Sequence, residues 1–199
     1  MTPMAVEYVA VRRGAPGAVV VCSGIGAVRS RAAALRAERA PVAALAVAGF
    51  CGGVAEGLRP GDVVVAAEVC GQGVVTTCET AALVAALATE GVERVHTGRL
   101  VSVDHVVHEA ERAALAVEGF TAVDMESAWL APAAAGRPFV VLRVVLDAAG
   151  RSFGRPAALR GPLTAWRALR RAAPALSVWA GLHEAEHAAG AACSPPLRD

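Results

Sequence analysis

Apolar positions along the chain fall into short β-rich runs that alternate with longer Ala-rich ones. "GAVVVCSGIG" (17–26) predicts a strand ending in a glycine loop, and "RSRAAALRAERA" (29–40) predicts a helix. "PVAALAVAGF" (41–50) predicts a strand that enters the turn-rich "CGGVAEGLRPGD", and "DVVVAAEV" (62–69) predicts another. Beyond these the pattern gives a helix over 79–90, a strand over 98–103, a helix over 109–117, the strand "FTAVDM" and a helix from Ser127. "RPFVVLRVVL" (137–146) predicts a buried strand, and residues 158–190 predict one or two C-terminal helices. Alternation of this kind predicts an α/β domain. Strands apolar on both faces predict a central β-sheet flanked by helices on both sides. The expected organisation is a single domain over 1–192 and a frayed tail over 193–199, with no repeat and no linker.

Composition and charge change this picture in five places. Ala and Val dominate while aromatics make up 4%, so small side chains must fill most of the core. The formal net charge of +1, without a basic patch interleaved with aromatics, argues against a nucleic-acid partner. The longest uncharged run, between Arg39 and Glu56, is broken by Pro41, Gly49, Gly52 and Gly53. A membrane span needs roughly 20 apolar residues, so none is expected. Glu7 inside the apolar part of the N-terminus, with arginines after it, is the wrong order for a secretory signal. Five cysteines without a C-x-x-C pair read as free thiols in a reducing cytoplasm.

Candidate chemistry sits at the ends of the strands. "TAVDMESAWLA" (121–131) places Asp124 and Glu126 between a strand and a helix, where either Asp124 or Ser127 could cap the helix. "SGIGAVRS" and "GFCGG" are two glycine loops after strands, positions where open α/β sheets bind ligands. The first is not a dinucleotide fingerprint, because Arg29 stands where a third glycine is needed. Asp147 ends a buried apolar strand, as either a turn residue or a poorly solvated acid suited to proton donation. "HEAEH" (183–187) matches H-E-x-x-H, but no His or Glu follows it as a third ligand, and it reads as a solvated helix face. His105 and His108 have no Cys or acid pattern for zinc, so neither a metal nor a cofactor is expected.

In this order the pieces resemble the nucleoside phosphorylase/nucleosidase family, which includes methylthioadenosine/S-adenosylhomocysteine nucleosidases and a hopanoid-associated phosphorylase branch. The similarity runs from Glu7 to about Phe153. It rests on "SGIG", "GFCGGVAEGLRPGDVVVA", "LVSVD", "AVDMESAWLA" and "RPFVVLRVVLD". The resemblance implies that Glu126 binds the ribose hydroxyls, Met125 packs on the sugar, Asp147 protonates the base and Glu7 activates water. It also implies substrate contacts at Gly52 and Val107, an aromatic stack from Phe153, and a homo-oligomer. Three positions depart from the pattern: Leu146 replaces a serine before the acid, Phe50 replaces a small or hydroxyl residue, and Val47 replaces a phosphate-binding arginine. The apolar run normally found before the glutamate is short, so either the start codon is mis-assigned or the sheet begins late. The expected activity is hydrolysis of the N-glycosidic bond of a purine nucleoside or a 5′-modified adenosine. The alternatives are phosphorolysis, including that of an adenosylated lipid, and nucleoside binding without catalysis.

Overall fold

The computed structural model describes residues 1–148 and 161–192, with side chains from 1 to 147 and from 161 to 185. Phe153, His187 and the tail 193–199 lie outside these described residues or side chains. The chain opens with α1 (Ala5–Gly14) and α2 (Ala27–Glu38), followed by β1 (Leu45–Gly53), β2 (Val63–Gly71) and β3 (Val74–Thr77). Then come α3 (Ala81–Thr89), β4 (Val95–Ser102), α4 (Glu109–Val117), β5 (Phe120–Asp124) and α5 (Ser127–Leu130). A 3-10 turn (Ala131–Ala134), β6 (Phe139–Ala148) and α6 (Gly161–Ala192) complete the order.

The described strands form one mixed sheet in the order β3-β2-β4-β5-β1-β6. Strand β2 also pairs antiparallel with β6, which closes the sheet on itself. Strands β1 and β6 are parallel, as are β2 and β4, while β3 is the return arm of a hairpin on β2. Each β-branched run is covered twice. Val47, Val64, Val141 and Val145 pack in the cluster reached by Ala33, Ala34 and Leu130. Val63, Val65, Val140, Leu142 and Val144 pack with Leu83, Leu169 and Trp179. The expected α/β architecture with helices on both faces is therefore present.

The first predicted strand is not. Residues 17–22 carry a single bridge, between Thr2 and Cys22, and Val19 is 81% exposed. The valines face no neighbouring strand except the first three residues, which hold them by Thr2 N–H to Val21 O and Ser23 N–H to Thr2 O. The apolar run thus becomes a tether. "AVEYVAVRRG" forms α1, and the sheet begins at Leu45. The hairpin arm β3 was not foreseen. Its valines are exposed, so they give no burial pattern.

The C-terminal segment is one long helix, α6, despite Pro174 inside it. Pro removes one intrahelical bond and favours a bend. At this place α1 ends against it: a Cβ on Gly14 would lie 2.5 Å from the Ala173 Cβ and 2.9 Å from the Arg170 carbonyl. The HEAEH stretch lies on α6 and is not wholly solvated. His183 stacks edge-on against Trp179 and pairs with Glu79 at 3.2 Å. Packing on Trp179 overrides the polar pattern that suggested an exposed face. No described helix is long and apolar enough to cross a membrane.

Candidate active site

A fully buried arginine organises the site. Arg143 lies in the middle of β6 with 0% exposure. Burying a guanidinium is costly unless opposite charges and hydrogen bonds compensate it. Here its Nη2 lies 2.6 Å from Asp124 and 3.7 Å from Glu126, while Nε and Nη2 both donate to the Ser127 hydroxyl. Nη1 donates to the Phe50 carbonyl. The carboxylates of the "VDMES" junction thus exist in the core because Arg143 is there to neutralise them.

Asp124 satisfies backbone N–H groups at the start of α5, as expected, although the N-cap position itself is Glu126. The Asp124 carboxylate accepts from the backbone N–H groups of Glu126 and Ser127, and from the hydroxyls of Ser102 and Ser127. It is also an ion-pair partner, a role that capping alone did not suggest. Glu126 points the other way. Its Oε1 accepts from the Gly26 N–H at 3.2 Å, in the loop where Gly24 and Gly26 have φ of 85° and 88°. The left-handed backbone there is open to glycine and costly for other residues. Burial raises the Glu126 pKa above the ordinary carboxylate range; Arg143 opposes this and Asp124 adds to it.

Glu7 is the third residue of α1 and is 1% exposed. Its two oxygens accept from the backbone N–H groups of Met4 and Phe50, each at 2.6 Å. Burial raises its pKa to about 7, against the pull of Arg143 and of both backbone donors. Gly49 makes this approach possible. A Cβ there would lie 2.5 Å from Glu7 Oε1 and 2.6 Å from Arg143 Nη1.

Asp147 stands at the end of β6, beside a register shift. Cys51 pairs with Val145 and Gly52 with Asp147, which leaves Leu146 as the extra residue of a bulge. Bulges bend a strand and re-aim its side chains, often next to active sites. Asp147 is not the stranded acid that the sequence suggested. Its side chain is 25% exposed and Arg112 Nη2 donates to its Oδ2 at 2.7 Å. Charge pairing across α4 and β6 is a tertiary event that the strand's own pattern could not report.

These groups line a cavity of about 740 Å³. Glu7, Glu126 and Asp147 open into it together with Gly52, Val107 and Met125, so six of the seven sequence-derived candidates converge. Phe153, the seventh, lies outside the described residues. Phe50 and Leu146, two of the three departures from the family pattern, are also in the wall. Pro3, Met4, Ile25 and Val106 extend the wall with apolar surface. His105 and His108 line it without forming a metal set: His105 bridges Asp104 and Glu111. No group of three or more His, Cys, Asp or Glu suited to a metal occurs among the described residues.

Sequence reasoning missed Arg143 and Arg112. The first was visible as a charge in an otherwise apolar strand, a pattern that demands a buried counter-charge. The second carries no such mark, since "EAERAALAV" reads as an ordinary surface helix.

A search of curated proteins finds no match. Solved structures do match. The 5′-methylthioadenosine/S-adenosylhomocysteine nucleosidase of Neisseria meningitidis, solved with methylthio-immucillin-A, superposes with a TM-score of 0.73 at 22% identity. The match covers 88% of this chain and 96% of that one. The corresponding nucleosidase of S. pneumoniae, with a transition-state inhibitor, gives 0.69 at 22% identity over 89% and 95% of the two chains. That of Campylobacter jejuni gives 0.71 at 16% over 88% and 96%. These similarities establish the fold. The family model described as the phosphorylase superfamily matches residues 3–159, most of the chain, and the chain belongs to that superfamily.

Proposed function

We propose that this protein is a nucleosidase that hydrolyses the N-glycosidic bond of a purine nucleoside or 5′-modified adenosine. The observation that carries the reading is the division of the cavity. Glu126 and Glu7 gather around Arg143, and Asp147 is held separately at the end of β6. Breaking a C–N glycosidic bond builds positive charge on the sugar and negative charge on the base. Glu126 meets the sugar hydroxyls and stabilises the first. Asp147 donates a proton to the departing base and relieves the second. Glu7, with a pKa of about 7, takes a proton from the attacking water.

Water is favoured over phosphate by charge. A phosphate dianion needs cationic side chains and free N–H groups. Arg112 is the one arginine in the described wall, and Asp147 and Gly53 already engage it. Arg143 is sealed behind its acids. Methylthioadenosine is favoured as substrate because the neighbouring folds are nucleosidases of that compound and because the cavity wall is rich in apolar groups. A cytoplasmic location is supported by the unpaired thiols of Cys22, Cys51, Cys70 and Cys78. Self-association is supported by Ile25 and Val106, which are exposed in the cavity wall.

The test is incubation with methylthioadenosine, adenosylhomocysteine, inosine and futalosine, with and without phosphate. Free base and free sugar at a phosphate-independent rate are expected. A sugar 1-phosphate, formed at a rate that saturates with phosphate, would replace the hydrolase by a phosphorylase. Tight binding without turnover would leave a nucleoside-binding protein.

A further inference from the structure

We infer that Arg112 is the positioning residue for Asp147, doing by charge from α4 what a hydroxyl beside the acid would otherwise do. The inference rests on the nucleosidase reading above. Leu146, directly before the acid, has no side-chain group that can hold a carboxylate, and Gly52, the residue paired with Asp147 on β1, has no side chain to fix its plane. Arg112 supplies the restraint from another element. Nη2 donates to Asp147 Oδ2 at 2.7 Å, and Nη1 donates to the Gly53 carbonyl at 2.9 Å and to the Asp147 carbonyl at 3.4 Å. The guanidinium therefore ties together the ends of β1 and β6. Its side chain is 10% exposed, so these bonds are shielded from solvent.

The backbone is shaped to admit it. A Cβ on Gly52 would sit 3.2 Å from Arg112 Nη2 and 3.3 Å from Nη1, so a bare backbone at Gly52 leaves room for the guanidinium. A planar fork with several fixed donors holds an acid more rigidly than a rotatable hydroxyl.

The arrangement assigns the two carboxyl oxygens. Oδ2 belongs to Arg112, and Oδ1, on a side chain that is 25% exposed, takes a proton from solvent as substrate binds and passes it to the base. As the C–N bond breaks, its electron pair leaves with the base, and Oδ1–H is transferred to a base nitrogen. The carboxylate that remains stays paired with Arg112. Water adds to the sugar carbon and its proton passes to Glu7, so one proton is given and one taken. An interaction that strengthens as the acid becomes anionic lowers the barrier more than it favours substrate binding.

The experiment compares Arg112→Met, Arg112→Lys and Arg112→Met combined with Leu146→Ser. Each is assayed on methylthioadenosine and on p-nitrophenyl riboside, whose leaving group needs no proton. With methylthioadenosine, Arg112→Met should lower kcat by on the order of 10²-fold with KM changed less than about three-fold. With the activated substrate the loss should stay below about three-fold. Arg112→Lys keeps a charge but not the fork and should fall in between; it carries the same comparison if Arg112→Met does not fold. Adding Leu146→Ser should restore about ten-fold on methylthioadenosine by returning a hydroxyl to the acid. Equal losses on both substrates, no loss at all, or no recovery with the serine would overturn the role of Arg112. Calorimetry with adenine separates this from the wider reading. If the wild-type protein binds adenine and cleaves neither substrate, hydrolysis fails. The positioning role then stands if Arg112→Met weakens adenine binding at least about five-fold, and falls if the affinity is unchanged.

Discussion

Replacing Glu7 by glutamine removes a titration from the core while keeping its shape. In the folded protein burial lifts this carboxyl from 4.5 to about 7. Between those two values the folded state holds a proton that the unfolded chain has already released. Stability must therefore fall as pH rises through that window, and level off above about 7. About 2.5 pH units at ~1.4 kcal/mol each gives a decline of ~3 kcal/mol attributable to this side chain. Glutamine does not titrate, so the variant should lose that slope. It also loses something at every pH, because its one carbonyl oxygen cannot accept from both Met4 and Phe50 N–H, at a cost of roughly 1–3 kcal/mol. The two effects oppose each other near neutral pH, where the net change should be small. The decisive measurement is a difference curve. Urea unfolding of both proteins from about pH 5 to about pH 8 should show the variant gaining on wild type by ~2 kcal/mol or more across the range. In the same samples, wild-type kcat/KM should rise with pH around a midpoint near 7, while the variant should remain low throughout, by ~10²–10⁴-fold. A difference curve that is flat with pH would refute the claim that Glu7 is neutralised by burial, and with it the argument for its role as base.

Three further outcomes are expected. Glu126→Gln should fold and lose nearly all turnover, because an amide cannot offset a developing sugar cation; activity within a few-fold of wild type would remove Glu126 from the site. Asp147→Asn should be nearly inactive on methylthioadenosine and far less affected on p-nitrophenyl riboside, as initial rates on the two substrates will show. Gly49→Ala would drive a methyl group against the carboxylate of Glu7 and the guanidinium of Arg143, and should cost about 1–3 kcal/mol in urea unfolding. Unchanged stability in that variant would mean that Glu7 and Arg143 have room to move apart.

What the chain determined by itself is its layered architecture and the places where chemistry could sit. Helix 109–117 coincides with α4 to the residue, and the strands expected over 41–50, 120–125 and 137–146 appear as β1, β5 and β6, although β1 and β6 run on to Gly53 and Ala148, past the ends that the pattern gave. Local periodicity is enough for this, because both faces of the sheet are buried. It failed at Val19–Val21, whose apolar run has no strand to pair with, and at β3, whose valines stay exposed. Both failures concern neighbours, which no window of sequence contains. The candidate acids were legible as charges interrupting apolar strands or their ends. Their electrostatics were not. Only the folded structure decided that Arg143 would gather Asp124 and Glu126 while burial raised Glu7, and that Arg112 would cross from α4 to Asp147. The physical reason is range: propensity and pattern act over a few residues, whereas a buried charge is balanced by whatever the fold brings within about 4 Å.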